Sequence, residues 1–224
     1  MHRMAGAWAL IALLGAATPA LADFSGCESA YTRKDPREQI DLYTVCLTKG
    51  GLPPSQRAGA FNNRGVAHLQ LGETDKAFED FDVAVQLEPD WGTAYLNRGD
   101  VFASRGEWAK AKADFDQAVR VGPTGEIRAD ALRHDAWLLA TCPDSAIRDG
   151  HRAVELAQKA IKREDGPTFR DTLAAADAEA AQFDQAQLEE ARAIELARSK
   201  GQTDLLAAFE ARLELYRKGV PFRD

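Results

Sequence analysis

The sequence is poor in the residues from which catalytic and metal sites are built. It has four histidines and three cysteines in 224 residues, and no group of them has the spacing of a metal site. It has no glycine-rich phosphate loop, no G-x-S-x-G turn and no H-E-x-x-H motif. These absences leave no residues for a catalytic, metal or cofactor site. We therefore predict a non-enzymatic protein without a cofactor.

One catalytic alternative rests on Cys142, which could form a thiolate pair with His134 or His151. No neighbour in the sequence is suited to lower the pKa of this thiol, so a buried, inert cysteine is the favoured interpretation. His151 and Glu155 are four residues apart, a spacing more typical of two solvated side chains on one helix than of metal ligands. His68 is interpreted as a packed ring.

Clusters of positive charge are also missing. The chain has 28 lysines and arginines against 35 aspartates and glutamates, a net charge of −7. Nucleic acids and anionic membrane surfaces both attract clustered basic residues. We therefore exclude both as partners.

Long apolar runs are limited to the N-terminus. The run at residues 5–17 follows a basic start and precedes an A-x-A site at residues 20–22. It is too short to span a bilayer, which takes about 20 residues, and it is typical of a signal peptide. We predict that residues 1–22 are cleaved, leaving a periplasmic or secreted chain that starts near Asp23 and has no membrane span. The alternative is a lipoprotein acylated at Cys27.

Export would allow disulfides to persist. Asp35 and Pro36 form a helix-start signal that divides residues 23–57 into a helical hairpin. Cys27 then opens the first helix and Cys46 nearly closes the second, so antiparallel packing would bring both to the same end. The sequence predicts a Cys27–Cys46 disulfide in this N-terminal cap, with Cys142 unpaired.

The sequence repeats itself with a period of 34 residues. Residues 58–91 align with residues 92–125 without a gap, and fourteen positions are identical. Apolar and small residues have helical spacing in each half of a unit, and a glycine between the halves ends the first helix. Gly65 and Gly99 stand inside the first helices, where glycine is unfavourable by about 1 kcal/mol. Their presence predicts close approach of the paired helix, as do the small residues at Ala77 and Ala111.

This pattern of glycine, alanine, aromatic residue and proline resembles the tetratricopeptide repeat. The resemblance implies an all-α fold, an α-solenoid of antiparallel helix pairs. We expect repeats at 58–91 and 92–125, a degenerate helix pair at 126–166, a degenerate repeat at 167–200, and a C-terminal capping helix and tail at 201–224. In residues 167–200, Asp177 and Glu190 replace aromatics and Ala181 replaces the turn glycine, departures that predict looser packing.

The resemblance also implies a function. In this family the first helices of successive repeats line a concave surface that binds protein segments, so we expect a protein or peptide partner. A terminal-carboxylate clamp is not expected, because Asn62 and Val66 occupy two of its positions and only Asn97 matches. Asp100 favours a neutral or basic extended segment. The candidate binding residues on this face are Asn62, Asn63, Gln70, Asn97, Asp100 and Ser104.

Two alternatives remain open. The asparagines could join neighbouring hairpins through the main chain instead of contacting a ligand. The protein could also be a structural subunit of an envelope complex, or self-associate through its terminal helices, without any function of the groove. Exposed charged positions such as Glu79 and Lys112 are expected to tolerate exchange.

Overall fold

The computed structural model describes residues 27–49, 51–122 and 126–224, and these ranges contain eleven α-helices and no strand. The predicted signal peptide, residues 1–22, lies outside them. The helices in chain order are Glu28–Tyr31 (α1), Pro36–Lys49 (α2), Pro54–Gln70 (α3), Thr74–Leu87 (α4), Gly92–Ser104 (α5), Trp108–Val121 (α6), Glu126–Thr141 (α7), Gly150–Ile161 (α8), Pro167–Glu179 (α9), Phe183–Ser199 (α10) and Leu206–Arg217 (α11). A short 3-10 helix, Thr203–Leu205, precedes α11.

Neighbouring helices pack in pairs, α3 on α4, α5 on α6, α7 on α8 and α9 on α10, and each pair contacts the next. The predicted all-α solenoid is confirmed. Helix α5 also packs against α7, and α7 against α9. We call the side formed by α3, α5, α7 and α9 the first-helix face. None of the described helices is long and apolar enough to cross a membrane.

Several helix ends differ slightly from the prediction. Helix α3 begins at Pro54 with Pro53 in the N-cap position, because proline is tolerated in a first turn. The predicted capping region at 201–224 is divided into the 3-10 helix and α11. At α2 the predicted start is correct, since the Asp35 carboxylate accepts a hydrogen bond from the Arg37 backbone N–H at 2.9 Å.

The glycines inside the first helices do allow close approach of the paired helix. A Cβ on Gly65 would lie 2.6 Å from Cε1 of Phe81, and one on Gly99 would lie 2.6 Å from Cε1 of Phe115. Both phenylalanine rings are completely buried. The ring therefore occupies the space that a side chain at the glycine would need.

The degenerate unit at 167–200 is packed, although its core is polar where aromatics were expected. Asp177 is 5% exposed and Glu190 is fully buried. Ala181 adopts the left-handed conformation at φ +60°, the only described non-glycine residue to do so, where Gly72 has φ +74°. The turn is thus kept without its glycine, at the cost of strain on an L-residue.

One exposed-charge prediction is wrong. Lys112 lies 3.3 Å from the carboxylate of Asp135, whose side chain is 3% exposed. Burial raises the pKa of Asp135 to about 6, and Lys112 opposes that shift. Lys112 therefore neutralises a buried acid, and its exchange should not be silent. Glu79 is exposed as expected.

Candidate functional site

The asparagines predicted to bind ligand form hydrogen bonds to one another and to Tyr43, and together these residues connect three helices. Nδ2 of Asn97 on α5 donates to Oδ1 of Asn62 on α3 at 2.8 Å. Nδ2 of Asn62 lies 3.4 Å from Oδ1 of Asn63, and Nδ2 of Asn63 donates to the hydroxyl of Tyr43 on α2 at 3.2 Å. This amide chain (Tyr43, Asn63, Asn62 and Asn97) joins successive hairpins through side chains.

The other three candidate residues differ in their surroundings: one pairs with the next first helix and two are exposed. The Asp100 carboxylate lies 2.7 Å from Nδ1 of His134 on α7, so it pairs with the next first helix. Ser104 is exposed, with its hydroxyl donating to the Val101 carbonyl at 2.8 Å. Gln70 is exposed at the end of α3. Gln70 and Ser104, on the first helices α3 and α5, are therefore the exposed members of the predicted set.

In both regular repeats an arginine of the first helix pairs with an aspartate of the second helix. The Arg64 guanidinium on α3 makes two hydrogen bonds to the Asp80 carboxylate on α4, at 2.9 and 2.7 Å. Arg98 on α5 does the same with Asp114 on α6, at 2.8 Å for both bonds. Such paired, charge-assisted bonds hold a fixed geometry.

Each of these arginines also reaches the preceding hairpin. Arg64 Nη1 donates to the Thr44 hydroxyl at 3.0 Å, and Arg98 Nη1 donates to the Asp82 carboxylate at 2.6 Å. Sequence analysis missed these pairs, although the signal was available: both the arginine and its aspartate partner recur at the 34-residue period.

A buried charged cluster lies between α9, α10 and α11. Arg212 Nε donates to the Asp171 carboxylate at 2.6 Å and lies 3.9 Å from Glu190. Burial and the neighbouring Asp171 carboxyl raise the pKa of Glu190 well above its usual range, and burial raises that of the Tyr216 hydroxyl. The cluster fixes the terminal helix to the degenerate unit.

The unpaired thiol is not set up for nucleophilic chemistry. Cys142 is 1% exposed within a cluster of apolar residues, and burial raises the pKa of its thiol. A nucleophilic cysteine requires the opposite shift.

In the described ranges no group of three histidines, cysteines or acids is placed to hold a metal ion. His68 is buried, with Nδ1 2.6 Å from the Glu73 carboxylate.

The N-terminal cap contains a disulfide between Cys27 and Cys46, with the two Cα atoms 5.6 Å apart. Both cysteines are buried with Tyr43 in one small cluster. The pair leaves no free thiol at Cys27 for the acylation that a lipoprotein would need.

Residues 58–91 match the family model of the tetratricopeptide repeat. Among curated proteins none matches the sequence significantly. Similar solved structures include a thermophilic TPR protein of Thermus thermophilus, with 19% identity, a TM-score of 0.61, and coverage of 79% of this chain and 89% of that one. MamA from Desulfovibrio magneticus is 18% identical with a TM-score of 0.61, covering 77% and 92% of the two chains. YrrB, a TPR protein with an unusual peptide-binding site, is 18% identical with a TM-score of 0.56, covering 80% and 88%.

Proposed function

We propose that this chain, which has one tetratricopeptide-repeat match at residues 58–91 and the fold of TPR proteins, is an exported, non-enzymatic scaffold that binds an extended segment of a partner protein on its first-helix face. The observation that carries the proposal is the arrangement of that face. Helices α5, α7 and α9 pack side by side, and Gln70 and Ser104 are exposed on α3 and α5. Amide and hydroxyl groups can both donate to and accept from a peptide backbone.

In this proposal the amide chain has a supporting role. The Asn97–Asn62 bond fixes α5 against α3, and the arginine–aspartate pairs fix each first helix to its second helix. A surface held by such bonds loses little conformational entropy when it binds a ligand, which favours affinity. Peptide binding is a property of the structurally similar YrrB, and we extend that class of ligand to this chain.

Two features support export. The pattern at residues 1–22 is that of a signal peptide, and the Cys27–Cys46 disulfide is of a kind that persists in oxidising compartments. The periplasm or cell envelope is the compartment that we propose.

Site-specific photo-crosslinking tests the binding face. We would place benzoylphenylalanine at Gln70 or at Ser104, with Glu79 on α4 as the matched control, because all three positions are exposed. Incubation with cell-envelope extract should give the same partner adduct at Gln70 and Ser104 and none at Glu79. Equal labelling at Glu79, or no adduct at either face position, would overturn the proposal.

A second candidate, assembly through the ends of the array, is favoured by a specific observation. The large apolar residues that the described ranges expose lie toward the two ends, Tyr31 and Val45 in the N-terminal cap and Leu188 and Val220 near the C-terminal end. A probe at Val45 separates the two candidates. Adducts at Val45 without adducts at Gln70 would favour the structural role.

A further inference from the structure

The segment after α11 returns to the first-helix face in an extended form. Helix α11 ends at Arg217, and Gly219 turns the chain at φ +68°. Residues 220–224 then have no regular structure, yet they make contacts with α7 and α9. The segment therefore contacts two first helices without being part of a helix itself.

The aromatic side chain of this segment has a defined site. The Phe222 ring lies 5.9 Å from the Trp137 ring of α7, at a tilted angle. The Arg212 guanidinium lies 5.3 Å from the centre of the Phe222 ring and 5.4 Å from that of Trp137. Aromatic pairs and cation–π contacts at these distances are attractive and depend on geometry. Phe222 also packs against a cluster containing Ala174, Ala178, Ala186 and Tyr216.

The arginine of the segment has an acidic partner. Arg223 Nη2 lies 2.6 Å from Oε2 of Glu179, at the end of α9. Oε1 of Glu179 accepts a hydrogen bond from Arg148 Nε at 2.9 Å. Since Arg148, in the connection between α7 and α8, already orients this carboxylate, the acidic partner of Arg223 is held in place by residues outside the segment.

The last turn of α7 supplies further hydrogen bonds. Carbonyls at a helix end have no partner within the helix. The Thr141 carbonyl accepts from the Asp224 backbone N–H at 3.0 Å, and the Ala140 carbonyl accepts from Arg223 Nη1 at 3.4 Å. The indole N–H of Trp137 donates to the Asp224 carboxylate at 3.0 Å.

The receptor groups therefore belong to helices, whereas the residues that contact them belong to a short segment without regular secondary structure. The Arg223 side chain is 35% exposed, against 14% for Glu179. Segments outside helices generally open with less free energy than the helical core. The arrangement is that of a peptide bound to a preformed site, with both parts on one chain.

We propose that the ends of α7 and α9 form a recognition site for an extended segment in which an aromatic residue precedes an arginine. Residues 221–224 fill this site in cis and exclude a partner segment of the same chemistry until they are displaced. This inference rests on the proposed function, because it assigns a ligand chemistry to one end of the first-helix face.

The competition can be measured. A tethered segment has an effective concentration on the order of millimolar, so a free peptide reaches the site only in the fraction of molecules whose segment has left. The apparent Kd of the free peptide rises in inverse proportion to that fraction. Removing the side chains of the segment should therefore strengthen binding in trans.

The experiment uses the mature chain and its Phe222→Ala/Arg223→Ala variant. The probe is a fluorescein-labelled peptide Gly-Val-Pro-Phe-Arg-Asp with an amidated end, followed by anisotropy. We expect the variant to bind at least about tenfold more tightly than the parent chain, following the same competition. Adding Glu179→Gln to the variant should abolish that gain, whereas adding Glu79→Gln should not. A peptide with alanine in place of its phenylalanine and arginine should not bind.

Equal or absent binding to the parent and the variant would overturn the proposal. If circular dichroism shows that the double variant does not fold, Arg223→Ala alone, which removes a partly exposed side chain, replaces it under the same criterion. The indole N–H resonance of Trp137, assigned with Trp137→Phe, gives a second readout. It should shift in Arg223→Ala and return toward its original position when peptide is added, and an unmoved resonance would contradict occupation of the site.

The outcome can be separated from that of the proposed function. Crosslinks at Gln70 and Ser104 without peptide binding would keep the scaffold function and remove this site. Peptide binding without those crosslinks would keep the site and move partner binding to the α7–α9 end.

Discussion

Two glycines in the same helix should respond in opposite ways to the same substitution. Gly59 and Gly65 both lie in α3. A Cβ on Gly59 would meet nothing within 4 Å, whereas one on Gly65 would lie 2.6 Å from Cε1 and 2.9 Å from Cδ1 of Phe81. Alanine at Gly59 should stabilise the protein, and alanine at Gly65 should destabilise it.

The magnitudes follow from two terms. Replacing glycine by alanine inside a helix is favourable by about 1 kcal/mol, and Gly59→Ala gains this alone. Carbon atoms in contact prefer about 3.5 to 4.0 Å, so Gly65→Ala requires roughly a 1 Å movement of a ring that has no exposed surface. Overpacking of this kind costs about 1 to 3 kcal/mol. The stability difference between the two variants should be about 2 kcal/mol, taking the middle of that range.

Thermal or urea unfolding followed by circular dichroism measures this difference. For a chain of about 200 residues, 2 kcal/mol corresponds to roughly 4 to 8 °C in melting temperature. In a Phe81→Leu background the smaller side chain should reduce the penalty of Gly65→Ala, giving a measurable coupling between the two positions. If Gly65→Ala proved as stabilising as Gly59→Ala, the close contact between α3 and α4 would be refuted.

Three further predictions concern single sites. Ala181→Gly should raise the free energy of unfolding by about 1 kcal/mol, because it relieves an L-residue at positive φ; a lower urea midpoint would contradict this. Peptide mapping without reduction should recover Cys27 joined to Cys46 and Cys142 as a single slowly reacting thiol, and a bridge to Cys142 would be incompatible with the hairpin. Burial, and secondarily Glu189, raise the pKa of Asp177 to about 7, so its stabilising contribution is complete below the unfolded pKa of about 4 and falls as pH rises toward 7. Asp177→Asn should therefore gain in melting temperature relative to the parent chain between pH 5 and pH 8, and a constant difference would count against the raised pKa.

The parts of the fold that follow from local spacing could be predicted from the sequence. The 34-residue period identified the helix pairs, and the helix-breaking cost of Gly65 and Gly99 predicted the close contacts that the structure contains. The pairing of Cys27 with Cys46 followed from the ends of two adjacent helices. In each case the partners lie within one hairpin or one repeat, so chain spacing determines their geometry.

Contacts between repeats were harder to predict. The recurrence of Asn63 and Asn97 was compatible both with ligand contact and with joining of neighbouring hairpins, and in the structure Asn97 bonds to Asn62 in the neighbouring unit. A recurring polar residue can serve a ligand or the next repeat, and its spacing is the same in both cases. The same limit applies to Lys112, whose acidic partner Asp135 is on the following first helix. Which of these residues face solvent depends on the superhelical packing, for which the sequence has no local signal.

Glu190, which departs from the repeat pattern, is explained by its contact with α11. Glu190 occupies the position that Phe81 and Phe115 hold in the two regular repeats, and an unpaired carboxylate there would be strongly destabilising. Arg212 of α11 lies 3.9 Å from Glu190 and donates to the Asp171 carboxylate at 2.6 Å. Burial and Asp171 raise the pKa of Glu190, which favours the neutral form of this buried acid. The acid that replaces the aromatic residue is therefore accommodated by the arginine that α11 brings to the same buried cluster.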